Sequence, residues 1–180
     1  MADRTPVIVG VGLSDYPRAP HLDALGHHAQ ATQRALIDSG VDKRAIDGYA
    51  GVGMGGELTP SLAEYLGIDH RWVDGTMTGG SAFEFHVQHA EAAIRQGMCD
   101  TVLITYGSDF LSTMLGTGGF LSAGQRVGGL MQYEAPYGSS LVGNYALAAR
   151  RHMHEYGTTS EHLATIAVGV REFAALNPNA

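Results

Sequence analysis

The stretch Arg71–Gly107, RWVDGTMTGGSAFEFHVQHAEAAIRQGMCDTVLITYG, reads as strand, turn, helix and strand in one unbroken run. Arg71 to Gly75 reads as a short strand. Gly79 to Gln96 reads as a helix closed by Gly97, with Phe83, Val87, Ala90 and Ile94 on one stripe. Thr101 to Tyr106, TVLITY, is a short apolar run of the kind found in buried strands. A strand that feeds a helix and then another strand predicts an α/β layer structure with a largely parallel sheet.

The flanking sequence repeats this alternation. Pro6 to Gly12, PVIVGVG, and Ile46 to Met54 are predicted strands, and Leu22 to Ser39 is a predicted helix ended by Gly40. Thr59-Pro60-Ser61 starts a short helix that ends near Gly67, with Thr59 as the candidate cap. From Phe110 to Ser140 the residues are rich in Gly, Ser, Thr and Met without a period, which predicts a loop excursion over a ligand site. Helices are expected over Leu141–Tyr156 and from a cap at Thr159 or Ser160 to about Leu176. The organisation expected is an α/β core over residues 1–110 and the start of a helical loop region over 111–180.

Composition bounds the function classes. The chain has 180 residues, 44% of them apolar, and a mean hydropathy of -0.03, as in globular proteins. No apolar run approaches the roughly 20 residues that span a bilayer, and MADRTPVIVG argues against a secretory signal. A net charge of -7 argues against general nucleic-acid binding. One cysteine, Cys99, excludes an intrachain disulfide framework and fits a cytoplasmic location.

Several motifs have a plain reading beside a chemical one. Gly51 to Gly56, GVGMGG, lacks dinucleotide-loop spacing and reads as a close-packed turn. His86 and His89 stand three apart on one helix, which can suit a metal, but no third ligand accompanies them, and no metal is expected. His27-His28 and His152/His154 read as structural. Cys99 reads as a buried small hydrophobe, with no helix N-terminus after it to lower its pKa. The junction Asp74-Gly75-Thr76-Met77-Thr78-Gly79-Gly80-Ser81 is the most informative. A turn into a helix N-terminus aims backbone N–H groups and a positive dipole end at whatever sits there. The plain reading is a helix start capped by Thr78; the chemical reading is a site for an anionic or carbonyl group.

At this junction the chain resembles the thiolase superfamily. Thiolases carry their nucleophilic cysteine at such a turn, in a pattern like C-x-[ST]-G, before a helix ending I-R-x-G and a strand V-L-I-x-x-G. Here the helix ends Ile94-Arg95-Gln96-Gly97 and the strand is Val102-Leu103-Ile104-Thr105-Tyr106-Gly107. Counting back from Gly97 sets the cysteine position at Gly80. The opening PVIVGVGLSDYPR is similar to a first thiolase strand. Glu155 to Ala164, with Arg171 and NPNA, is similar to the sterol-carrier-protein-X and lipid-transfer-protein branch. The resemblance implies a thiolase-like layered fold that ends within the first half of such a subunit, before its acid/base histidine and second cysteine.

Glycine cannot form the thioester of ordinary thiolase chemistry, and Cys99 lies roughly 25 Å away at about 1.5 Å of helix rise per residue. The string TGGSAFEFHVQHA resembles cysteine-less aldolases of steroid side-chain breakdown, which split β-hydroxyacyl-CoA thioesters alongside an OB-fold zinc-ribbon partner. That resemblance implies retro-aldol cleavage of a bulky acyl-CoA, with coenzyme A present only as part of the substrate and no other cofactor. Thr78, Gly79, Gly80 and Ser81 are the expected substrate-binding residues. Tyr137 is a candidate to close over the acyl group, the alternative being that it only packs the loop. The catalytic base is expected outside this chain. A homodimer is expected through the sheet edge near Arg71 to Thr76. Two other readings stay open: a noncatalytic acyl-CoA-binding or scaffold subunit, and an acyltransferase with its nucleophile elsewhere.

Overall fold

A computed structural model of the chain describes residues 4–16, 19–53, 58–109, 129, 131–137 and 141–178. Two compact units divide it, Met1–Ser112 and Thr113–Ala180. The first is the α/β layer structure expected. Its elements are α1 (Ala24–Ser39), β1 (Gly48–Gly51), α2 (Thr59–Tyr65), β2 (Trp72–Asp74), α3 (Ala82–Arg95) and β3 (Val102–Thr105). The strands form a sheet in the order β2-β1-β3, and both pairings are parallel. Tyr49 lies opposite Val73 on one side and Leu103 on the other.

One face of this sheet carries the core. Tyr49 is fully buried among Ile46, Leu62, Ala63, Leu66 and Ile68, with Leu25, Ala29 and Leu36 of α1 and Leu103 packed around them. Burying such side chains is worth about 1.5–3 kcal/mol each relative to exposure. Two polar side chains inside share one partner. His28 Nδ1 meets the Thr105 hydroxyl at 2.7 Å, and the Tyr49 hydroxyl meets the same oxygen at 2.8 Å. This trio ties α1 to β1 and β3. Helix α3 packs across all three strands, and none of its residues joins the Tyr49 cluster.

Four expectations need correction. Pro6 to Gly12 is no strand. Within it Val11 N donates to the α1 side chain of Asp38 at 2.9 Å, and just after it Arg34 donates to the Leu13 carbonyl at 2.6 Å and Asp15 N donates to Gln30 at 2.6 Å. Val7, Ile8, Val9 and Val11 are left exposed. β-Propensity names no ladder partner, so the pattern was right about residue type and wrong about pairing. Thr59 is the first residue of α2 and not its cap; Leu58 holds that place, and the Thr59 hydroxyl donates to Gly51 O at 2.9 Å. The buried stripe of α3 is Ala82, His86, Ala90 and Ala93, so Val87 faces outward. The fourth correction lies in the stretch read as a loop, which contains a helical turn, α4 (Met131–Glu134), and a 3-10 turn over Ala135–Tyr137.

The second unit adds α5 (Leu141–Tyr156) and α6 (Ser160–Ala174). Gly157, in the left-handed region at φ 68, ends α5 by donating its N–H to Met153 O at 3.0 Å. At the start of α6, Thr159 N donates to His162 Nδ1 at 3.0 Å. No residue of α6 is buried. Met54, Gly55 and Gly56 of the glycine-rich segment lie outside the described residues. Among those described, no helix is long and apolar enough to cross a membrane.

Candidate functional site

The sheet delivers β2 into a turn over residues 75–81 and then into α3. Gly75 is required where it stands, since a Cβ there would sit 2.2 Å from the Thr59 hydroxyl oxygen. The Thr59 bond to Gly51 O therefore fastens the start of α2, the end of β1 and the beginning of the turn at one point.

A polar clasp holds the next residues. One Asp74 carboxylate oxygen accepts from Thr76 N at 2.9 Å and from the Thr76 hydroxyl at 2.7 Å. The other meets His89 Nδ1 at 2.6 Å. His86 Nε2 donates to Thr76 O at 3.0 Å. Burial pushes the Asp74 carboxyl up, but the bonds from Thr76 and His89 outweigh it and hold the group below the usual carboxylate range. The two histidines thus engage a carbonyl and a carboxylate. Among the described residues no group of three or more His, Cys, Asp or Glu could hold a metal ion. A surface groove of about 310 Å³ lies beside the clasp, lined by Trp72, Asp74, His89, Ala92, Gln96 and Met98 among others. Gly79, Gly80 and Ser81 take no part in its lining.

Beyond the clasp the backbone is bare. Thr78, Gly79, Gly80 and Ser81 are all exposed. Gly79 has φ 85, in the left-handed region that side chains rarely adopt. Gly80 directly precedes the N-cap residue of α3, and a Cβ on it would meet nothing within 4 Å. Ser81 is that N-cap residue, but its side chain makes no cap bond. Thr78 is not the cap that the plain reading would require. Ala82 N bonds back to Gly79 O at 3.1 Å, while the amides of Gly79, Gly80 and Ser81 have no partner among the described residues. Adjacent unengaged N–H groups at a helix N-terminus suit a carbonyl oxygen or an oxyanion. Glu84 in the first turn of α3 weakens the attraction for a fully charged anion.

The other singled-out residues have their own surroundings. Tyr137 is 89% exposed and belongs to the second unit. Cys99 is fully buried, and burial, with Asp47 and Asp100 nearby, pushes its thiol up. That environment suits packing and not nucleophilic attack. His28 is buried in the Thr105 trio, and His152 Nδ1 meets the Thr158 hydroxyl at 2.9 Å. From sequence alone His86 and His89 read as metal ligands or as ordinary helix-surface or helix-packing residues, and Asp74 carries no assigned role. An Asp two residues before a Thr is a turn signal that pointed to it.

The chain is similar to known proteins. No family model matches the chain. It is 29% identical over 96% of its length to the 17-hydroxy-3-oxo-4-pregnene-20-carboxyl-CoA lyase of Mycobacterium tuberculosis, covering 46% of that protein. Over 99% of its length it is 29% identical to the benzoylsuccinyl-CoA thiolase subunit BbsB of Thauera aromatica, again covering 46%. Among solved structures it superposes on the Ltp2-ChsH2(DUF35) aldolase with a TM-score of 0.75 and 26% identity, covering 96% of this chain and 44% of that one. The chain spans about half the length of the curated relatives it matches.

Proposed function

From a chain that is thiolase-like, of the branch shared by steroid side-chain aldolases, we propose a subunit that cleaves a bulky β-hydroxyacyl-CoA by retro-aldol reaction. The observation that carries the proposal is Gly80. It stands beside the N-cap with open space where a side chain would be, so the position can form no acyl-enzyme and can admit a branched acyl group. In the reaction a base removes the proton of the β-hydroxyl. The Cα–Cβ bond breaks, and its electrons pass to the thioester as an enolate. Protonation of the enolate at Cα leaves a shortened acyl-CoA and a free carbonyl compound. The amides of Gly79, Gly80 and Ser81, with the Thr78 and Ser81 hydroxyls, are suited to the developing enolate oxygen. Donors fixed beforehand are worth about 3 kcal/mol each in comparable sites. The base and any contribution from Tyr137 belong to the complete protein. Coenzyme A enters only with the substrate.

Two partners belong to the same proposal. Among the described residues β2 pairs with β1 alone, and the proposal gives its other edge to a second copy. An OB-fold zinc-ribbon protein is the expected companion, in line with the superposed aldolase, which pairs Ltp2 with ChsH2(DUF35). A noncatalytic acyl-CoA-binding role is the second reading, favoured by the lack of a titratable side chain over Met77–Ser81. One experiment separates them. The complete subunit, with and without its companion, is given a branched β-hydroxyacyl-CoA, and Gly80→Val is run beside it. Turnover in the native protein that falls at least 100-fold in G80V, with little change in melting temperature, supports the lyase. Tight CoA-thioester binding without turnover supports the scaffold.

A further inference from the structure

The geometry points to His86 and His89 as positioning residues that set the backbone of the 75–81 turn, and so the amides of Gly79, Gly80 and Ser81, for the substrate. The inference rests on the lyase reading above. The turn contains three glycines in seven residues, and glycine loses more backbone freedom on ordering than any other residue. Its outer part is exposed and makes few bonds of its own, so its conformation must be imposed from the sides. Gly75 is set against Thr59 on one side. On the other, α3 supplies the two imidazoles, one on Thr76 of the turn and one on Asp74 at the end of β2. His86 takes Thr76 O, and His89 takes the Asp74 oxygen that the Thr76 hydroxyl and amide do not use. The peptide groups on both sides of Thr76 and both oxygens of Asp74 are thereby engaged.

His86 shows what this arrangement costs. Its side chain is fully buried, yet Nδ1 finds no partner among the described residues. As donor to a carbonyl, the ring carries its proton on Nε2. Its Nδ1 is then a buried acceptor left unpaired, which is destabilising. A leucine would fill the space without that penalty. The Nε2 bond to Thr76 O is what histidine adds there. His86 also stands one helical turn after Ala82, directly behind the first turn of α3 whose N-terminus faces the proposed substrate. A rigid helix that holds both the N-cap and the preceding turn fixes their spacing. Displacing reacting groups by about 1 Å can cost about 100-fold in rate.

The test uses the complete subunit with its companion and a branched β-hydroxyacyl-CoA. His86→Leu and His89→Ala remove the bonds, while His86→Gln and His89→Asn keep a donor near Nε2 and Nδ1 respectively. Expected are kcat losses of about 10- to 100-fold in H86L and H89A with KM within about threefold. H86Q and H89N should return to within about threefold of the native rate. Hydrogen exchange at the amides of residues 77–81 should quicken in H86L and H89A alone, with the α3 amides still protected. Unchanged kcat and exchange in H89A overturns the inference, as does equal loss in H89A and H89N. His89 has a side chain 40% exposed, so its truncation leaves no core cavity and decides the matter even if H86L fails to fold. A native protein that turns nothing over sinks the lyase reading, and the exchange measurement still decides the clasp.

Discussion

The hydroxyl oxygen of Thr59 occupies the place a side chain at Gly75 would need, 2.2 Å from where its Cβ would stand. Gly75→Ala should therefore destabilise the chain by about 1–3 kcal/mol, the usual range for forcing an extra methyl into a closed space. Thr59→Ala in the same chain removes the offending oxygen and should restore part of the loss. Urea unfolding of the two single variants and the double variant measures this coupling. Strict additivity would show that the contact does not limit residue 75.

Thr105 is the shared partner of two buried groups, His28 Nδ1 and the Tyr49 hydroxyl. Thr105→Val keeps the shape and removes the hydroxyl. A loss of about 1–3 kcal/mol is expected, because a buried polar group is left without its bond. Thr105→Ser should cost less than the valine variant in the same denaturant titration.

Two carboxyls give the fold an acid limb. Burial pushes Asp47 up, yet the amides of Thr101 and Asp100 and the charge of Arg71 hold it below its ordinary value. Asp74 is held low by Thr76 and His89 against its own burial. A depressed folded pKa contributes stability that is complete above the unfolded value, about 3.9, and is lost as pH falls through the folded value. Unfolding free energy should therefore decline below about pH 4. Asp74→Asn should be less stable than the native chain at neutral pH and show a shallower acid decline. An acid limb as steep in that variant as in the native chain would remove Asp74 from the account.

Cys99 should be unreactive in the folded chain. Its thiol is fully buried and pushed up by that burial and by Asp47 and Asp100. DTNB at pH 8 should label it only after denaturant is added. Rapid labelling without denaturant would mean that the segment between α3 and β3 opens readily.

Much of the layer structure was legible because period and punctuation are local properties. The 3.6-residue pattern and Gly97 announced α3, and TVLITY announced β3. Gly80 could be assigned to the turn before a helix, and it stands there. What local pattern cannot supply is the partner. PVIVGVG has the composition of a strand, but Asp38 of α1 takes the Val11 amide, and Arg34 and Gln30 take the backbone of Leu13 and Asp15 just after it. The Asp74 clasp was missed for the same reason. Residues 74 and 89 are far apart in sequence, and only the return of α3 over β2 joins them. The buried face of α3 was misjudged because alanines and a histidine fill it while Phe85 and Val87 stay outside. Hydrophobicity alone ranks those the other way.

The central position of β1 has a consequence for how the chain comes off the ribosome. β1 must pair with β2 some 24 residues later and with β3 some 54 later, as in Gly48 with Trp72 and with Val102. α1 is made before either pairing, and its inward bond, from His28 to Thr105, waits for a residue 77 positions further on. Closing such loops is the slow part of folding a parallel sheet. The β1–β2 pair can therefore form first, and the sheet is complete only once β3 and Thr105 reach β1 and His28.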